Sequence, residues 1–359
     1  MSATAPTGAA PARVARPSPV FRNGVRCSIR DERGTRPIRW CDIADQDWSD
    51  FGLVLGAGGS TGLAFEAGIL LALSVDHHIT LANASRLVGT SAGSIASTLI
   101  TLGFEADDLA ALVSEVPHLM AEPLQAYVPE TVDDTPPPMP HPLRLVRPPT
   151  PRAVRQTLNH LAHARFGSSL LTSMRQGTFD LRERLVFLEN ATWPTERPHL
   201  QLVVADVHKN QRVILDHTTG VTLRDAVAAS CAVPAVMKPI RVGGRTYVDG
   251  GLHSPTNADL LGGEGGPENV IVVSPMSGDR SRTAMGWTSA MFSSKRLHRE
   301  LRSFRPNQKV IVIEPVGKLS EMVVDNALSS DNSASILTSA FLSPSAARAQ
   351  RSTPQRAAS

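Results

Sequence analysis

Short runs of consecutive apolar residues, separated by glycine, proline and polar segments, are the most regular pattern along the chain. A strand that helices cover on both faces is apolar throughout, so these runs predict strands of a parallel sheet. They occur at 53–55, 200–206, 213–215, 270–273 and 310–313. Apolar residues at helical spacing follow at 63–71 and 94–102. Strands that alternate with helices predict an α/β fold, a three-layer α/β/α arrangement with a mainly parallel central sheet.

A glycine-rich segment, Gly56-Ala57-Gly58-Gly59-Ser60-Thr61-Gly62, joins the first of these strands to a helix predicted to begin near Leu63. Consecutive N–H groups in such a loop can point into one concavity and bind an anion or a developing oxyanion. A dinucleotide-binding loop is the alternative. The spacing departs from GxGxxG, no lysine follows, and the nearest acidic residue for a ribose, Asp76, lies in a polar stretch.

Ser91 is the candidate nucleophile, in the segment Gly89-Thr90-Ser91-Ala92-Gly93. An apolar approach at 86–88 precedes it and a helical run follows, so Ser91 is predicted at a strand-to-helix turn. Small neighbours allow a sharp turn that exposes the hydroxyl, and the helix directs free N–H groups and its positive dipole end toward it. The same residues also fit an ordinary turn in which a serine caps a helix.

Asp249 is the candidate base, and it begins the segment Asp249-Gly250-Gly251. The preceding residues predict a strand that ends at Val248, and the two glycines let the chain reverse directly after the carboxylate. An Asp-Gly-Gly segment alone is most often a β-turn in which the aspartate caps its own backbone. Together with Ser91 and the glycine loop, it supplies the third part of an acyl-transfer site.

These three motifs, in this order, resemble those of the patatin-like phospholipases, lipid acyl hydrolases with a glycine-rich loop, a GxSxG serine and a DGG or DGA aspartate. The resemblance covers about residues 51–275, more loosely to about 340, and includes Pro234 and Asn257. Thr61 stands where the family often has arginine or lysine. The resemblance implies the patatin-like fold and a Ser91–Asp249 dyad, with the N–H groups of Gly58 and Gly59 as the oxyanion hole. The supporting motif positions are Gly56, Ser60, Gly62, Gly89, Gly93, Gly250 and Gly251.

The activity implied by the resemblance is hydrolysis of fatty acyl esters of glycerolipids through an acyl-enzyme on Ser91, with no metal and no cofactor. A Ser-Asp-His triad of the α/β-hydrolase type is an alternative, in which His253 or His298 would follow the acid in chain order. A catalytically silent lipid-binding homologue is the non-enzymatic alternative. Histidine substitutions would discriminate the first alternative, and a fluorophosphonate probe the second.

Charge is unevenly distributed: residues 1–40 carry +6, residues 343–359 carry +3 and the remainder carries −6. An acidic body with basic ends argues against a nucleic-acid-binding domain. We predict a basic, disordered N-terminal extension over 1–45, an acyl hydrolase domain over 46–342 and a disordered tail over 343–359. The proline-rich segment 117–151 is predicted to be a surface excursion or a cap over the site.

The first 20 residues contain no apolar stretch of the kind found in secretory signals. Residues 51–73 carry Glu66 as their only charge, but the glycine loop interrupts this stretch, so no transmembrane span is predicted. The three cysteines lack metal-binding spacing and fit reduced thiols. We therefore expect a cytoplasmic protein whose partner is a lipid or acyl-ester substrate at a membrane surface, and not a nucleic acid.

Overall fold

A computed structural model describes residues 24–114, 177, 179–196, 198–209, 211–234, 236–325, 327 and 332–349. Its strands are β1 (Val25–Asp31), β2 (Gly34–Ile38), β3 (Phe51–Leu55), β4 (Ala84–Thr90), β5 (His199–Asp206), β6 (Gln211–Leu215), β7 (Ile240–Val242), β8 (Arg245–Asp249), β9 (Asn269–Val273) and β10 (Lys309–Pro315). Its α-helices are α1 (Gly59–His77), α2 (Ala92–Thr101), α3 (Ala106–Ser114), α4 (Leu223–Ser230), α5 (Ala284–Glu300), α6 (Gly317–Asp325) and α7 (Ser333–Ala349).

The described strands form one sheet in the order β2-β1-β10-β9-β3-β4-β5-β8-β7, with β6 paired to β5 as well. The five central strands, β10, β9, β3, β4 and β5, are parallel to one another. Antiparallel strands flank this core on both sides. The predicted α/β fold with a parallel core is confirmed, whereas the antiparallel margins were not anticipated.

Helices cover both faces of the sheet, which explains why its central strands are mostly apolar. Leu53 and Leu55 of β3 pack in the larger core, which includes residues of α1, α2, α3, α4, α6 and α7. Val54, on the opposite face, packs in a second core with Leu297 of α5. Alternate residues of one strand thus enter two separate cores, as the period of two in a strand requires. The result is the predicted three-layer arrangement.

The prediction that the disordered extension reaches residue 45 is wrong, because β1 and β2 join the sheet. β1 pairs with β10, and its Cys27 and Ile29 are buried. Arg26 forms an ion pair with Glu314 at 2.8 Å, and Arg30 donates to the carbonyl oxygen of Phe304 at 2.5 Å. Arg26 and Arg30, two of the arginines that suggested a solvated basic arm, therefore have partners in the folded body.

The predicted C-terminal boundary at residue 342 is also wrong, since α7 continues to Ala349. Residues 1–23 and the segment 117–151 lie outside the described residues. Within the described part, α1 is the one helix long and apolar enough to cross a membrane. It packs against α2, α3 and α7 and is mostly buried, as the core helix of a folded domain is.

Candidate active site

The pairing of β5 brings the ends of β4 and β8 together. Val203 of β5 pairs with Thr90, the last residue of β4, and the next residue, Val204, pairs with Asp249, the last residue of β8. Both strands lie on the same side of β5, because β6 occupies its other side over these residues. β4 runs parallel to β5 and β8 runs antiparallel, so their C-terminal ends meet. Ser91 and Asp249 therefore become neighbours although 158 positions separate them in the sequence.

Ser91 occupies the sharp turn between β4 and α2. Its φ of 54° and ψ of −121° lie in a region that L-residues rarely adopt. Such a conformation costs about 1–3 kcal/mol and persists only where the surroundings enforce it. Here the backbone N–H of Ser91 donates to the hydroxyl of Ser230 at 3.0 Å, and its carbonyl accepts from the hydroxyl of Ser94 at 2.6 Å and the thiol of Cys231 at 3.1 Å.

The two glycines around Ser91 permit this turn to pack beside β3. A Cβ at Gly93 would overlap the carbonyl of Leu55, and a Cβ at Gly89 would overlap the hydroxyl of Ser97. The N–H of Gly93 also donates to the carbonyl oxygen of Gly56 at 3.1 Å. The serine turn and the glycine loop are thus hydrogen-bonded to each other.

The glycine loop is shorter than predicted. α1 begins at Gly59, so only 56–58 form a loop and Gly59, Ser60 and Gly62 belong to the first helical turns. The early start is stabilised by a hydrogen bond from the N–H of Gly62 to the carbonyl of Gly58 at 2.9 Å. A glycine-rich segment therefore does not have to be a loop along its whole length.

The N–H groups of Gly58 and Gly59 are the predicted oxyanion donors. Neither donates to an acceptor within the part of the chain that the structure describes. Gly59 is the first residue of α1, where N–H groups lack a partner within the helix and the helix dipole favours negative charge. The loop is held in place because Gly56 donates to Val273 at 3.1 Å and Ala57 donates to Pro255 at 2.7 Å.

The Asp249 turn contacts this loop. A Cβ on Gly251 would lie 3.3 Å from the Cβ of Ala57, and the N–H of Gly251 donates to Oδ1 of Asp249 at 2.7 Å. Gly250 approaches β5 so closely that a Cβ there would overlap the carbonyl of Val203. The loop, the serine turn and the aspartate turn therefore meet at the C-terminal edge of the parallel strands.

Burial raises the pKa of Asp249 to about 6, while the N–H of Gly251 and the hydroxyl of Ser91 act in the opposite direction. Asp249 and Ser91 are 6% and 5% exposed, so little water reaches either side chain. The Ser91 hydroxyl thus interacts with the carboxylate, although no well-formed hydrogen bond within 3.5 Å joins these two described side chains. Catalytic hydrogen bonds are often long or bent before substrate binds.

Several residues that support the site were not identified from the sequence. Ser230 accepts from Ser91 and donates to the carbonyl of Val203 at 2.8 Å. The buried hydroxyl of Thr61 donates to the carbonyl of Val323 at 2.8 Å and lies 3.3 Å from that of Gly58. Where the family often has a cation, this chain therefore has a tether between the glycine loop and α6.

Asn257 supports the site from the other side. Its side-chain amide donates to the hydroxyl of Thr90 at 3.1 Å and to the carbonyl of Ser254 at 2.5 Å. Its own φ of 54° is left-handed, a conformation that asparagine tolerates better than most residues. Asn257 thus links the residue before Ser91 to the segment that follows Asp249. The sequence signal was its place in the family pattern, which did not reveal this role.

Glu66 of α1 is a buried carboxyl group beneath the site. Neither of its oxygens has a hydrogen-bond partner among the described residues. Burial raises its pKa well above the ordinary value, which favours the protonated form. The N–H of Gly56 opposes this shift, but it already donates to Val273. The pKa of the nearby Cys231 thiol is raised to about 12, chiefly by burial and also by the charge of Asp249. Glu66 contributes to the same shift.

The two histidines of the alternative triad lie elsewhere. His298 is exposed on α5, and its Nδ1 is 2.8 Å from the carbonyl oxygen of Ser294. His253 is half-buried, and burial together with Arg212 lowers its pKa. Over the described residues, no hydrogen bond joins either imidazole to Ser91 or Asp249. In the same part of the chain, no group of three or more potential metal ligands occurs.

A family model described as patatin-like phospholipase matches residues 53–261 of the chain. No curated protein sequence matches the chain. Among solved structures, VipD from Legionella pneumophila is 15% identical, with 93% of this chain and 71% of VipD covered and a TM-score of 0.42.

In two further solved structures, a smaller share of the other chain is covered. The type III effector ExoU of Pseudomonas aeruginosa is 16% identical, with 84% of this chain and 53% of that chain covered and a TM-score of 0.35. Human GIVD cytosolic phospholipase A2 is 9% identical, with coverages of 87% and 64% and a TM-score of 0.37. This chain thus spans less than two thirds of either protein. These similarities are too distant to assign a role to any residue.

Proposed function

Because the chain belongs to the patatin-like phospholipase family, we propose that it is a serine hydrolase of glycerolipid acyl esters, with Ser91 as nucleophile and Asp249 as general base. Membership in the family implies lipid acyl hydrolase activity. The assignment of the two residues rests on their meeting at the edge of the sheet. The observation that carries it is the β5 pairing, in which Thr90 and Asp249 face consecutive residues.

The proposed reaction proceeds in two steps. The Ser91 hydroxyl gives its proton to Asp249 while its oxygen attacks the ester carbonyl carbon. The resulting oxyanion accepts hydrogen bonds from the N–H groups of Gly58 and Gly59. When the tetrahedral intermediate collapses, the bond to the alcohol breaks, the alcohol takes the proton from Asp249, and the acyl group stays on Ser91. Water then attacks the acyl-enzyme with Asp249 as base, and collapse returns a proton to Ser91 and releases the fatty acid.

The raised pKa of Asp249 suits this role. A carboxylate with a pKa of about 6 is still mostly ionised at neutral pH. It is nevertheless a stronger base than an exposed aspartate, whose pKa is about 3.9. The same burial that raises the pKa also excludes water, which strengthens the electrostatic effect of the oxyanion donors. A base weaker than histidine then operates with help from the loop and from the N-terminus of α2.

Release of free fatty acid from a panel of phospholipids and p-nitrophenyl esters tests the proposal. Ser91→Ala and Asp249→Asn are each expected to lower the rate by at least about 10³-fold, as loss of a nucleophile or base does in other serine hydrolases. Unchanged turnover in both variants would show that the site is elsewhere. A loss in Ser91→Ala alone would show that another group is the base.

Asp206→Asn is the matched control for the aspartate. Asp206 is also a buried aspartate at the end of a strand, but its Oδ1 accepts from the N–H groups of His208 and Lys209 at 2.9 Å. We expect this variant to lose stability while its turnover per folded molecule stays within a few-fold of the wild type. A loss of turnover as large as that of Asp249→Asn would mean that the aspartate effect is not specific to the proposed base.

A further inference from the structure

The helix α5 buries Leu297 but has three other large apolar side chains on its outside. Trp287, Met291 and Phe292 are 56%, 38% and 40% exposed, whereas its inward-facing positions include the small residues Gly286 and Ala290. A helix that only covers a sheet would have the reverse distribution. Three large apolar side chains grouped within two turns form a patch, and exposed apolar patches mark interaction sites more often than isolated residues do.

The second half of the same exposed face is basic. Lys295, His298, Arg299 and Arg302 follow the apolar residues at helical spacing and are exposed. Over the described residues, none of the lysine and arginine side chains in this group has an acidic side chain within ion-pair distance. We call the exposed residues Trp287, Met291, Phe292, Lys295, His298, Arg299 and Arg302 the α5 face.

Acidic residues near this helix do not neutralise the α5 face. Glu300 points inward, where it accepts from the hydroxyl of Thr256 at 2.6 Å and from the N–H of Ala258 at 2.9 Å. Asp325, near the start of the helix, accepts from the N–H of Arg282 at 2.7 Å, and Glu321 accepts from Nε of Arg282 at 2.7 Å. The positive charge of the α5 face is therefore available to an external anion.

Apolar and basic side chains of the α5 face line the same depression of the surface. Met291, Ser294, Lys295, His298, Arg299 and Arg302 line a single shallow depression. Arg296 also lies with its guanidinium 5.5 Å from the ring centre of Phe292. This combination, an aromatic and aliphatic group beside several cations, matches the boundary between the acyl chains and the phosphates of a lipid bilayer.

The helix α5 packs against the segment that joins it to β9, where the hydroxyl of Ser294 donates to the carbonyl of Ser277 at 3.2 Å. α5 follows β9 after a turn at Pro275–Ser277, and Pro275 lies against Gly58 of the glycine loop and Gly62 of α1. Arg296 contributes to lowering the pKa of His253, which lies in the segment directly after the Asp249 turn. Leu252, in the same segment, is 41% exposed. The helix that carries the α5 face thus packs close to segments that adjoin the site.

We propose that the α5 face docks the protein on an anionic lipid bilayer, with Trp287 and Phe292 entering the interface and the cations contacting lipid phosphates and carboxylates. This proposal rests on the proposed function in that the bilayer contains the ester to be cleaved. Binding itself does not require turnover. The test therefore uses the Ser91→Ala variant as the parent, so that a failure of docking and a failure of catalysis give different results.

The first measurement is co-sedimentation with vesicles of phosphatidylcholine alone and of equimolar phosphatidylcholine and phosphatidylserine. The parent is expected to bind the anionic vesicles and to lose binding as salt is added. Each cation near an anionic surface contributes roughly fivefold to partitioning, so Lys295→Gln, Arg299→Gln and Arg302→Gln together should weaken binding roughly 100-fold at low salt. Trp287→Ala with Phe292→Ala should weaken it at least roughly tenfold.

A control variant has the same change in net charge at positions away from the α5 face. Arg33, Arg241 and Arg245 are exposed residues of other elements, and their triple substitution by glutamine should leave vesicle binding nearly unchanged. Equal losses in both triple variants would overturn the proposal, because binding would then depend on net charge alone. Thermal unfolding of every variant verifies that the fold is retained.

The second measurement uses tryptophan fluorescence with brominated lipids, which quench only side chains that reach the acyl region. Trp40 and Trp48 are buried and Trp193 is half-buried, so the docked parent should be quenched through Trp287. Trp287→Phe should keep binding and lose the quenching. Quenching that persists in this variant contradicts the proposal.

The proposal is equally contradicted if alanine substitutions in the apolar part dissociate a dimer or lower the unfolding midpoint without changing vesicle binding, since another protein surface would then cover the α5 face.

Discussion

At the scale of single residues, Glu66 shows how burial controls charge near the site. Its carboxyl group is fully buried, has no hydrogen-bond partner among the described residues and lies close enough to Cys231 to influence it. An ionised carboxylate there would be costly, so the folded protein favours the neutral acid. Asp249 is also buried, but it accepts a hydrogen bond from the N–H of Gly251, and the nearby Ser91 hydroxyl also favours its charged form. The difference in polar partners therefore explains why Asp249 can ionise while Glu66 stays neutral.

Glu66→Gln tests this difference through the pH dependence of stability. Because the pKa of Glu66 is raised on folding, folding of the wild type takes up a proton once the pH exceeds the unfolded value of about 4.3. Its free energy of unfolding then falls relative to that of Glu66→Gln by up to about 1.4 kcal/mol per pH unit, until the pH passes the folded pKa. Urea unfolding between pH 4 and pH 8 measures this gap.

The same substitution at exposed Glu183 controls for the loss of one negative charge. We expect the stability gap to widen with pH for Glu66→Gln and to stay nearly constant for Glu183→Gln. Parallel stability profiles of the wild type and Glu66→Gln would mean that Glu66 keeps its charge in the folded protein. In that case an unrecognised partner must stabilise it.

At the scale of elements, the conformation of the glycine loop depends on its contacts with α1 and α6 as well as on its own sequence. The first turn of α1 starts inside the glycine run, and Thr61 connects that turn to α6 through the carbonyl of Val323. The sequence predicted the strand, the glycines and a helix correctly. It did not predict that α1 starts inside the glycine run, nor the contact between Thr61 and a residue 262 positions away.

Thr61→Val removes the tether without changing the shape of the side chain. The variant removes the hydroxyl that donates to the carbonyl of Val323, so we expect it to lose about 1–3 kcal/mol of stability. If the tether also holds the N–H groups of Gly58 and Gly59, the rate of ester hydrolysis by the folded variant should fall by about tenfold or more. Urea unfolding and steady-state kinetics on a p-nitrophenyl ester measure the two effects.

Thr101→Val provides the comparison. The Thr101 hydroxyl donates to the carbonyl of Thr98 at 2.7 Å, within the α2 region and away from the glycine loop. This variant should keep the wild-type rate. A Thr61→Val enzyme that loses stability but hydrolyses the ester at the wild-type rate would contradict a positioning role for the tether.

At the scale of the whole molecule, the site exists because one strand has two different neighbours on the same side. The sequence indicated β5 as a buried strand and Asp249 as a strand end. It did not indicate that β8 runs antiparallel and continues the position of β4 along β5. Strand order and direction come from tertiary packing, for which apolar runs contain no signal. The meeting of Ser91 and Asp249 was therefore inferred from family resemblance, and the sheet now supplies a physical explanation.

The edge strand pair β1 and β2 shows the same limit of prediction from the sequence. β1 was assigned to a disordered arm because arginine dominates its surroundings, yet alternate residues such as Cys27 and Ile29 enter the core. Net charge describes a segment as a whole, whereas the period of two in a strand separates its faces. Arg26 contacts Glu314 on the neighbouring strand, so the charge that suggested a solvated arm is an interaction within the sheet. Alternation within a short charged segment was the signal that this assignment did not weigh.

The central claim is that Asp249 takes the proton of Ser91, and the rate of acylation against pH tests it most directly. A single-turnover reaction with an activated ester, followed by mass spectrometry of the acylated Ser91 peptide, measures this step between pH 4.5 and pH 8. The wild-type rate should increase with pH and level off above an apparent pKa of about 6, because only ionised Asp249 accepts the proton. Asp249→Asn should acylate at least about 10³-fold more slowly and without this inflection, while His253→Ala and His298→Ala should keep it. An Asp249→Asn variant that acylates Ser91 at the wild-type rate with the same inflection would contradict the account.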